Sequence, residues 1–337
     1  MNSLTRIQTT VGFGTPDRTP VIAQVFGHTA TLAGIPVDEY VRDGELLARC
    51  QMKALDYYGY DAVFALMDVN VETEAIGSVL DYRPDQYPTV RTYALADGAN
   101  LDRLRLPNPH KDGRMPELLK AAGTLRREVG DDVLVVGCVL GPLTLATQLL
   151  GAETALYLAT DDPEQYARIL DFAVDVAIQF GAAQIEAGVH LPIVFDPFST
   201  PEVIPASFFR EFSLPRLQRV FAGLKKAGSA VNWLHTAGQI TPILPYYPQV
   251  GAEIANFDFC VKPADMIQVL PQICVDGNIK PLAFIEATPD AIAAESSRLL
   301  DIFAKRGGYI LSSGCEIPPA ARPENIAAMI ASTRQKR

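Results

Sequence analysis

The chain has 337 residues, of which 48% are hydrophobic and 20% are charged, and its formal net charge is −10. This composition supplies a large core and gives no reason to expect disorder, and the length suits one barrel domain with insertions. Lysine and arginine are scattered along the sequence, so neither nucleic acid nor an anionic membrane is expected as a partner.

The cysteines favour a reducing compartment. There are five of them, widely spaced and without a Cys-x-x-Cys pair, which argues against a disulfide framework. The segment MNSLTRIQTT lacks the apolar core of a signal peptide, and no run of about 18 apolar residues could cross a membrane. We therefore expect a cytoplasmic protein.

Eight short apolar runs alternate with helical patterns along the chain. The runs are residues 20–27, 62–67, 133–140, 191–195, 230–234, 253–257, 272–275 and 309–311. Helices are expected at residues 38–57, 115–129, 143–150, 163–187, 201–227, 289–305 and 323–334. The alternation predicts an α/β fold, a (β/α)8 TIM-type barrel, as a single domain over residues 1–337. Residues 80–112 are rich in Pro, Asp, Arg and Tyr without periodicity, and they predict a long insertion.

Polar residues stand where the predicted strands end. The set is His28, Asp68, Asp196, His235, Asp258, Asn278 and Cys315. Each of these residues, taken alone, is more often an ordinary turn or helix-cap residue. In a parallel barrel, however, the carboxyl ends of the strands share one face, and active sites are built there. The set as a whole therefore predicts a site on that face.

Five motifs spread over nearly the whole chain carry a family resemblance. They are VNVETEAIG at 69–77, GPLTLATQLLG at 141–151, ANFDFCV at 255–261, DGNIKP at 276–281 and SGCEIPPAARPEN at 313–325. Together they resemble the uroporphyrinogen decarboxylase superfamily, most of all its branch of cobalamin-dependent methyltransferases such as methylcobamide:coenzyme M methyltransferase. The resemblance implies a TIM-type barrel, a monomer or homodimer, and transfer of a methyl group to or from a corrinoid. No Asp-x-His-x-x-Gly corrinoid motif occurs in the chain, so the corrinoid would arrive on a partner protein.

The features of the decarboxylase branch are mostly missing. Residues 24–29 correspond to its arginine-rich loop and contain no arginine. Its tyrosine and serine positions correspond to Gln148 and Pro197, whereas its aspartate is kept as Asp68. A polyanionic porphyrinogen needs several cations near the site. Decarboxylation of that substrate is therefore not expected.

The methyltransferase branch implies a zinc site made by a His-x-Cys pair after the fifth strand and a cysteine after the eighth. His235 and Cys315 match two of these positions, but Ala237 replaces the other cysteine. Zinc in that branch lowers the pKa of a thiol substrate and presents a thiolate to the methyl group.

Three alternatives for the metal remain open. Cys260 or a carboxylate, Glu72 or Glu74, could complete the zinc site, since zinc accepts all these ligand types. Metal could instead bind weakly or only together with substrate. In the third alternative the metal is lost, and His235 acts as a base or a hydrogen-bonding group beside a plain Cys315 thiol.

The leading hypothesis is a corrinoid-dependent methyltransferase that acts on a small-molecule acceptor or donor. His235, Asp68 and Cys315 are its expected catalytic residues. The expected substrate-binding residues are His28, Glu72, Asp196, Asp258 and Asn278. One alternative is a metal-free decarboxylase or lyase acting on a small carboxylate, with Asp68 handling the proton. Another is a non-catalytic protein that binds a ligand or a corrinoid.

Overall fold

A computed structural model of the chain describes residues 1–96, 101 and 104–334. Its helices are α1 Ser3–Val11, α2 Gly27–Ala33, α3 Val37–Tyr40, α4 Gly44–Tyr58, α5 Val71–Ile76, α6 Met115–Val129, α7 Pro142–Leu150, α8 Ala152–Asp161, α9 Pro163–Glu186, α10 Ala206–Phe208, α11 Leu214–Ala227, α12 Tyr247–Val250, α13 Pro263–Val269, α14 Ala283–Glu286, α15 Pro289–Phe303 and α16 Pro323–Ser332. Its strands are β1 Ala62–Phe64, β2 Val79–Asp81, β3 Thr89–Thr92, β4 Leu134–Leu140, β5 Leu191–Phe195, β6 Trp233–His235, β7 Ile254–Phe257, β8 Cys274–Ile279 and β9 Tyr309–Ser313. Among these residues, no helix is long and apolar enough to span a membrane.

Seven of the strands form one curled parallel sheet in the order β1-β4-β5-β6-β7-β8-β9. They are short and mostly aliphatic, as expected for parallel strands that are covered on both faces. Every residue of β4 and β5 is buried, for example. Helices such as α6, α9 and α15 pack against this sheet. Because the strands are parallel, their polar carboxyl ends lie on one face of the barrel. This is the α/β barrel architecture that the alternation of elements predicts.

The first predicted strand, residues 20–27, is the main correction. The structure has no regular strand there, but only an isolated parallel bridge between Val21 and Leu311 of β9. On its other side, the Asp61 backbone N–H donates to the Val21 carbonyl at 2.9 Å. The segment therefore lies between β1 and β9 and closes the ring. The helix α2 begins at Gly27, which ends the extended backbone early.

The side chain of Asp61 fastens this closing segment. It is fully buried and accepts hydrogen bonds from the guanidinium groups of Arg6 and Arg18, at 2.7 and 2.8 Å. It also accepts from the Ser3 hydroxyl and the Val21 backbone N–H, at 2.7 and 2.8 Å. The helix α1, which was not among the predicted elements, supplies two of these donors. The N-terminal helix is thus tied to the start of β1.

Several element boundaries also differ from the predicted ones: the strand expected at 62–67 ends at Phe64, the strand expected at 230–234 is Trp233–His235, and the helix expected at 38–57 is divided into α3 and α4. The seventh predicted strand ends at residue 275, whereas β8 continues to Ile279 and includes Asp276. This carboxylate fits inside a strand because the Trp233 indole and the Asn256 amide donate to it, each at 2.9 Å. The predicted helix at 201–227 is divided into α10, a π-helical turn and α11.

The predicted insertion at 80–112 contains a hairpin. Strands β2 and β3 pair antiparallel, apart from the main sheet, with a register shift at Val79 and Leu80. Residues from the turn and from β3 reach the open end of the barrel, where Tyr87 and Val90 line a cavity. Residues 97–100 and 102–103 of the insertion lie outside the described part of the chain.

Candidate active site

His235 is the last residue of β6. All three residues of this short strand are buried, and the imidazole is only 1% exposed. Its ring stacks on Phe195 at the end of β5, with the ring centroids 4.3 Å apart. Burial lowers the pKa of His235 to about 3. The side chain is therefore an uncharged imidazole at neutral pH.

Cys315 lies two residues after β9, and the fold brings it to His235. The Sγ atom of Cys315 is 3.6 Å from Nε2 of His235. Burial raises the pKa of the Cys315 thiol to about 12. The two residues therefore form a neutral thiol–imidazole pair rather than a thiolate–imidazolium ion pair.

A cavity of about 570 Å³ opens above this pair, at the carboxyl ends of the strands. All three expected catalytic residues, His235, Asp68 and Cys315, line it. Its aromatic lining is Phe26, Tyr87, Tyr93, Phe195 and Phe198. Ala237, Pro197 and Gln148 also line it, so the positions where the chain departs from the family patterns face the same space.

Asp68 belongs to a buried ion pair. Its two carboxylate oxygens accept from the Arg114 guanidinium at 2.5 and 3.2 Å. The Nε–H of Arg114 also donates to Glu74, at 2.6 Å. This buried cation is therefore shared by two carboxylates, and it lies at the start of α6, just after the insertion. No sequence pattern pointed to this partner for Asp68, because the two residues lie 46 positions apart.

Glu316 and Tyr87 are site residues that sequence reasoning missed. The Tyr87 hydroxyl donates to Oε1 of Glu316 at 2.5 Å, and both residues line the cavity. Burial raises the pKa of Glu316 to about 7. The place of Glu316 directly after Cys315 could have suggested it. Tyr87 lies in the aperiodic insertion, where no pattern pointed to it.

The five expected substrate-binding residues, all in described parts of the chain, lie outside the lining of this cavity. Two of them are held by polar groups of neighbouring elements. Asp196 is fully buried and accepts from the backbone N–H and hydroxyl of Thr144, at 2.8 and 2.7 Å. Glu72 accepts from the Leu140 backbone N–H at 2.8 Å. These carboxylates secure the ends of β4 and β5.

The other three have comparable structural partners. The His28 ring contacts the Tyr58 hydroxyl at 2.8 Å, and Asp258 accepts from the Gly238 backbone N–H at 3.0 Å. The Asn278 amide donates to the Val261 carbonyl at 2.9 Å. Since these bonds hold turns and helix starts at the barrel mouth, the residues support the site from outside the cavity.

The residues at the cavity floor supply two of the donors that a catalytic zinc ion needs, but no third donor is placed beside them. A tetrahedral zinc holding one nitrogen and one sulfur places them about 3.5 Å apart, close to the 3.6 Å between His235 and Cys315. The third position has the methyl group of Ala237. Cys260 lines a separate cavity. In the described residues, no group of three His, Cys, Asp or Glu side chains is placed to hold a metal.

The other ring nitrogen of His235 also lacks the partner that a zinc-bound histidine needs. A histidine that binds zinc normally donates its other ring N–H to a carboxylate, carbonyl or water. Nδ1 of His235 is buried and has no hydrogen-bond partner within the described part of the chain. The donor set therefore does not fit a three-ligand zinc site.

Comparisons with known proteins agree with the barrel fold. The family model for uroporphyrinogen decarboxylase (URO-D) matches residues 3–336. The chain belongs to the uroporphyrinogen decarboxylase family. The family resemblance carried by the five sequence motifs is thereby confirmed.

Individual relatives within the family carry two different activities in their names. The chain is 30% identical over 301 residues to the uroporphyrinogen decarboxylase of Syntrophotalea carbinolica, covering 87% of this chain and 84% of that protein. It is 28% identical over 294 residues to the methylcobamide:CoM methyltransferase MtaA of Methanosarcina barkeri, covering 86% and 84%. A solved methyltransferase structure from Methanosarcina mazei superposes with a TM-score of 0.90 at 24% identity, covering 99% and 98%, which establishes the fold.

Proposed function

We propose that this family member is a corrinoid-dependent methyltransferase. It would move a methyl group between a corrinoid on a separate protein and a small molecule held in the cavity. The observation that carries the proposal is the pair of His235 and Cys315, 3.6 Å apart on the cavity floor. The proposal is supported by the sequence resemblance, which matches His235 and Cys315 to the histidine and the distant cysteine of the methyltransferase branch, and by MtaA among the relatives.

Bound to a carrier protein at the cavity mouth, a corrinoid would supply or accept the methyl group. Val69 and Tyr93 line the cavity and are also 36% and 38% exposed, so they would be accessible to such a partner. Nε2 of His235 and the Cys315 thiol can hydrogen-bond the reacting atom of the small molecule. Since both groups are uncharged, they orient that atom by hydrogen bonding and do not offset a charge on it.

Apolar walls complete the arrangement. Phe26, Phe195 and Phe198 surround the pair and keep water from the reacting atom. The carboxyl group of Glu316, held by Tyr87, can keep or release a proton near neutral pH. It can therefore accept the proton that a thiol or hydroxyl group must lose when that group takes up the methyl group.

A metal-free decarboxylase or lyase is the second candidate. It is favoured by the decarboxylases among the relatives and by Asp68 at the cavity wall. Against it, Asp68 is already paired with Arg114, and no lysine or arginine is found among the described residues that line the cavity. A carboxylate substrate would lack a cationic partner.

The experiment sets both functions side by side with the purified chain. Methylcobalamin with mercaptoethanol, and reduced cobalamin with para-methoxyphenol, are followed by the visible absorbance of the corrinoid. Uroporphyrinogen and a panel of small carboxylates are assayed for carbon dioxide. We expect methyl transfer in one direction and no carbon dioxide. Carbon dioxide without methyl transfer would establish the second candidate, and tight cobalamin binding with neither reaction would indicate a binding protein.

A further inference from the structure

The walls of the cavity are mainly aromatic. Phe26, Phe195 and Phe198 present rings to it, and Tyr87 and Tyr93 add two from the insertion. Such walls stabilise a bound molecule by removing apolar surface from water and by ring contacts. A volume of about 570 Å³ is ample for a molecule with one aromatic ring.

The charges around the cavity are unfavourable for an anion. Arg114 is the cation behind the wall, and it is shared by two carboxylates, Asp68 and Glu74. This cluster has one positive and two negative charges, so its formal charge is −1. Glu316 adds a further carboxyl group, which is bound by the Tyr87 hydroxyl.

An anionic ligand would therefore lose its hydration without gaining an ion pair. The floor is formed by His235 and Cys315, and the described lining contains no lysine or arginine. A buried charge without a partner is strongly disfavoured. A single neutral thiol, hydroxyl or ether group, in contrast, can hydrogen-bond to the groups of the floor.

We propose that the small molecule taken by this cavity is uncharged and largely apolar, of the size of one substituted aromatic ring, and that carboxylates, sulfonates and phosphates are excluded. This rests on the proposed function only in taking the cavity as the methyl-transfer site. It follows from the wall composition and from the sharing of Arg114, and it separates this chain from enzymes whose substrates carry anionic groups.

Matched ligands test the proposal by isothermal titration calorimetry, without turnover. The pairs are para-methoxyphenol with para-methoxybenzoate, and mercaptoethanol with mercaptoethanesulfonate. We expect the neutral member of at least the aromatic pair to bind about tenfold tighter or more, which corresponds to about 1.4 kcal/mol. Thr89, exposed on β3, lines the cavity, so Thr89→Arg should raise the affinity for the anionic members.

Thr92→Arg is the matched control. Thr92 is exposed on the same strand but does not line the cavity, so the same added charge there should leave the preference unchanged. Equal or tighter binding of the anionic members by the wild type would overturn the proposal, as would no binding of any neutral member. Methyl transfer to an anionic acceptor would overturn it while leaving the proposed function standing. Binding of the neutral ligands without methyl transfer would support the proposed selectivity and would contradict the proposed function.

Discussion

A single methyl group at position 237 separates this chain from the metal-binding pattern of the methyltransferase branch. Ala237 lines the cavity close to the pair of His235 and Cys315. That pair already has a separation suited to two ligands of one zinc ion. A thiol at position 237 would supply the missing third donor.

Ala237→Cys is therefore expected to create a zinc site. The variant should bind about one zinc per chain after equilibrium dialysis, because three protein donors and one open position are a complete catalytic zinc set. Elemental analysis by mass spectrometry gives the metal content. Ala237→Ser is the matched control and should remain low in zinc, like the wild type. One zinc per wild-type chain, lost in Cys315→Ser, would contradict our assignment of an incomplete site.

The sequence pointed to some site residues because barrel geometry brings strand ends together. His235, Asp68 and Cys315 were found in this way, and all three reach the cavity. The same rule also selected Asp196, whose carboxylate bonds to Thr144 instead of facing the cavity. The position of a strand end shows which face a residue lies on, but not which neighbour its side chain will contact.

At the scale of elements, ring closure depends on side chains rather than on a full strand. The bridge at Val21 supplies little backbone pairing between the closing segment and β9. Asp61 compensates, because its carboxylate at the start of β1 accepts hydrogen bonds from donors in α1 and in the chain around the closing segment. Because the carboxylate is fully buried, its removal would leave the Ser3 hydroxyl and the Val21 backbone N–H without this acceptor, while Arg6 would keep its ion pair with Asp17.

Asp61→Ala should consequently lower the free energy of unfolding by roughly 3–5 kcal/mol, since it leaves two guanidinium groups without their buried partner. Urea denaturation followed by circular dichroism measures the change. Asp56 is exposed on the neighbouring helix α4, and Asp56→Ala should stay within about 0.5 kcal/mol of the wild type. Equal stability of the two variants would show that Asp61 does not hold the closure.

Sequence periodicity predicted those elements whose buried face is determined by residues close in sequence. The bounds expected for α6, residues 115–129, are those of the structure. The strand expected at 20–27 failed because its pairing is decided by Asp61 and by β9, which lie far away in sequence. The role of α1 was missed for the same reason, since it depends on contacts with β1.

At the scale of the whole molecule, the barrel interior contains a carboxyl group without a cation. Asp276 is fully buried, and among the described residues its side chain is bound by Trp233 and Asn256. Burial raises the pKa of Asp276 from 3.8 to about 7. The folded barrel therefore holds this proton more tightly than the unfolded chain does. The resulting stability is fully present below the unfolded pKa and is lost as the pH rises through the folded value.

Asp276→Asn should remove part of that pH dependence. The wild type is expected to lose stability between about pH 4 and pH 7, and the variant to lose roughly 1–3 kcal/mol less across this window. The new amide can still accept from Trp233, and Asn256 can turn its unpartnered oxygen toward it. Glu72 and Glu316, with pKa values also raised to about 7, keep some dependence in both proteins. An equal loss of stability between these pH values in the wild type and in the variant, measured by urea denaturation, would contradict the expected role of Asp276.

Comparing methyl transfer by the wild type and by His235→Ala tests the proposed function most directly. Among the described residues, His235 has no hydrogen-bond partner at Nδ1, and its buried ring stacks on Phe195, so its loss should lower the free energy of unfolding by roughly 0.5–3 kcal/mol. Circular dichroism would confirm that the variant is folded. We expect the corrinoid absorbance change seen with wild type to slow by about 100-fold or more in the variant, because the reacting atom loses its partner on the floor. Equal rates in the two proteins would contradict the assignment of this cavity as the site of methyl transfer.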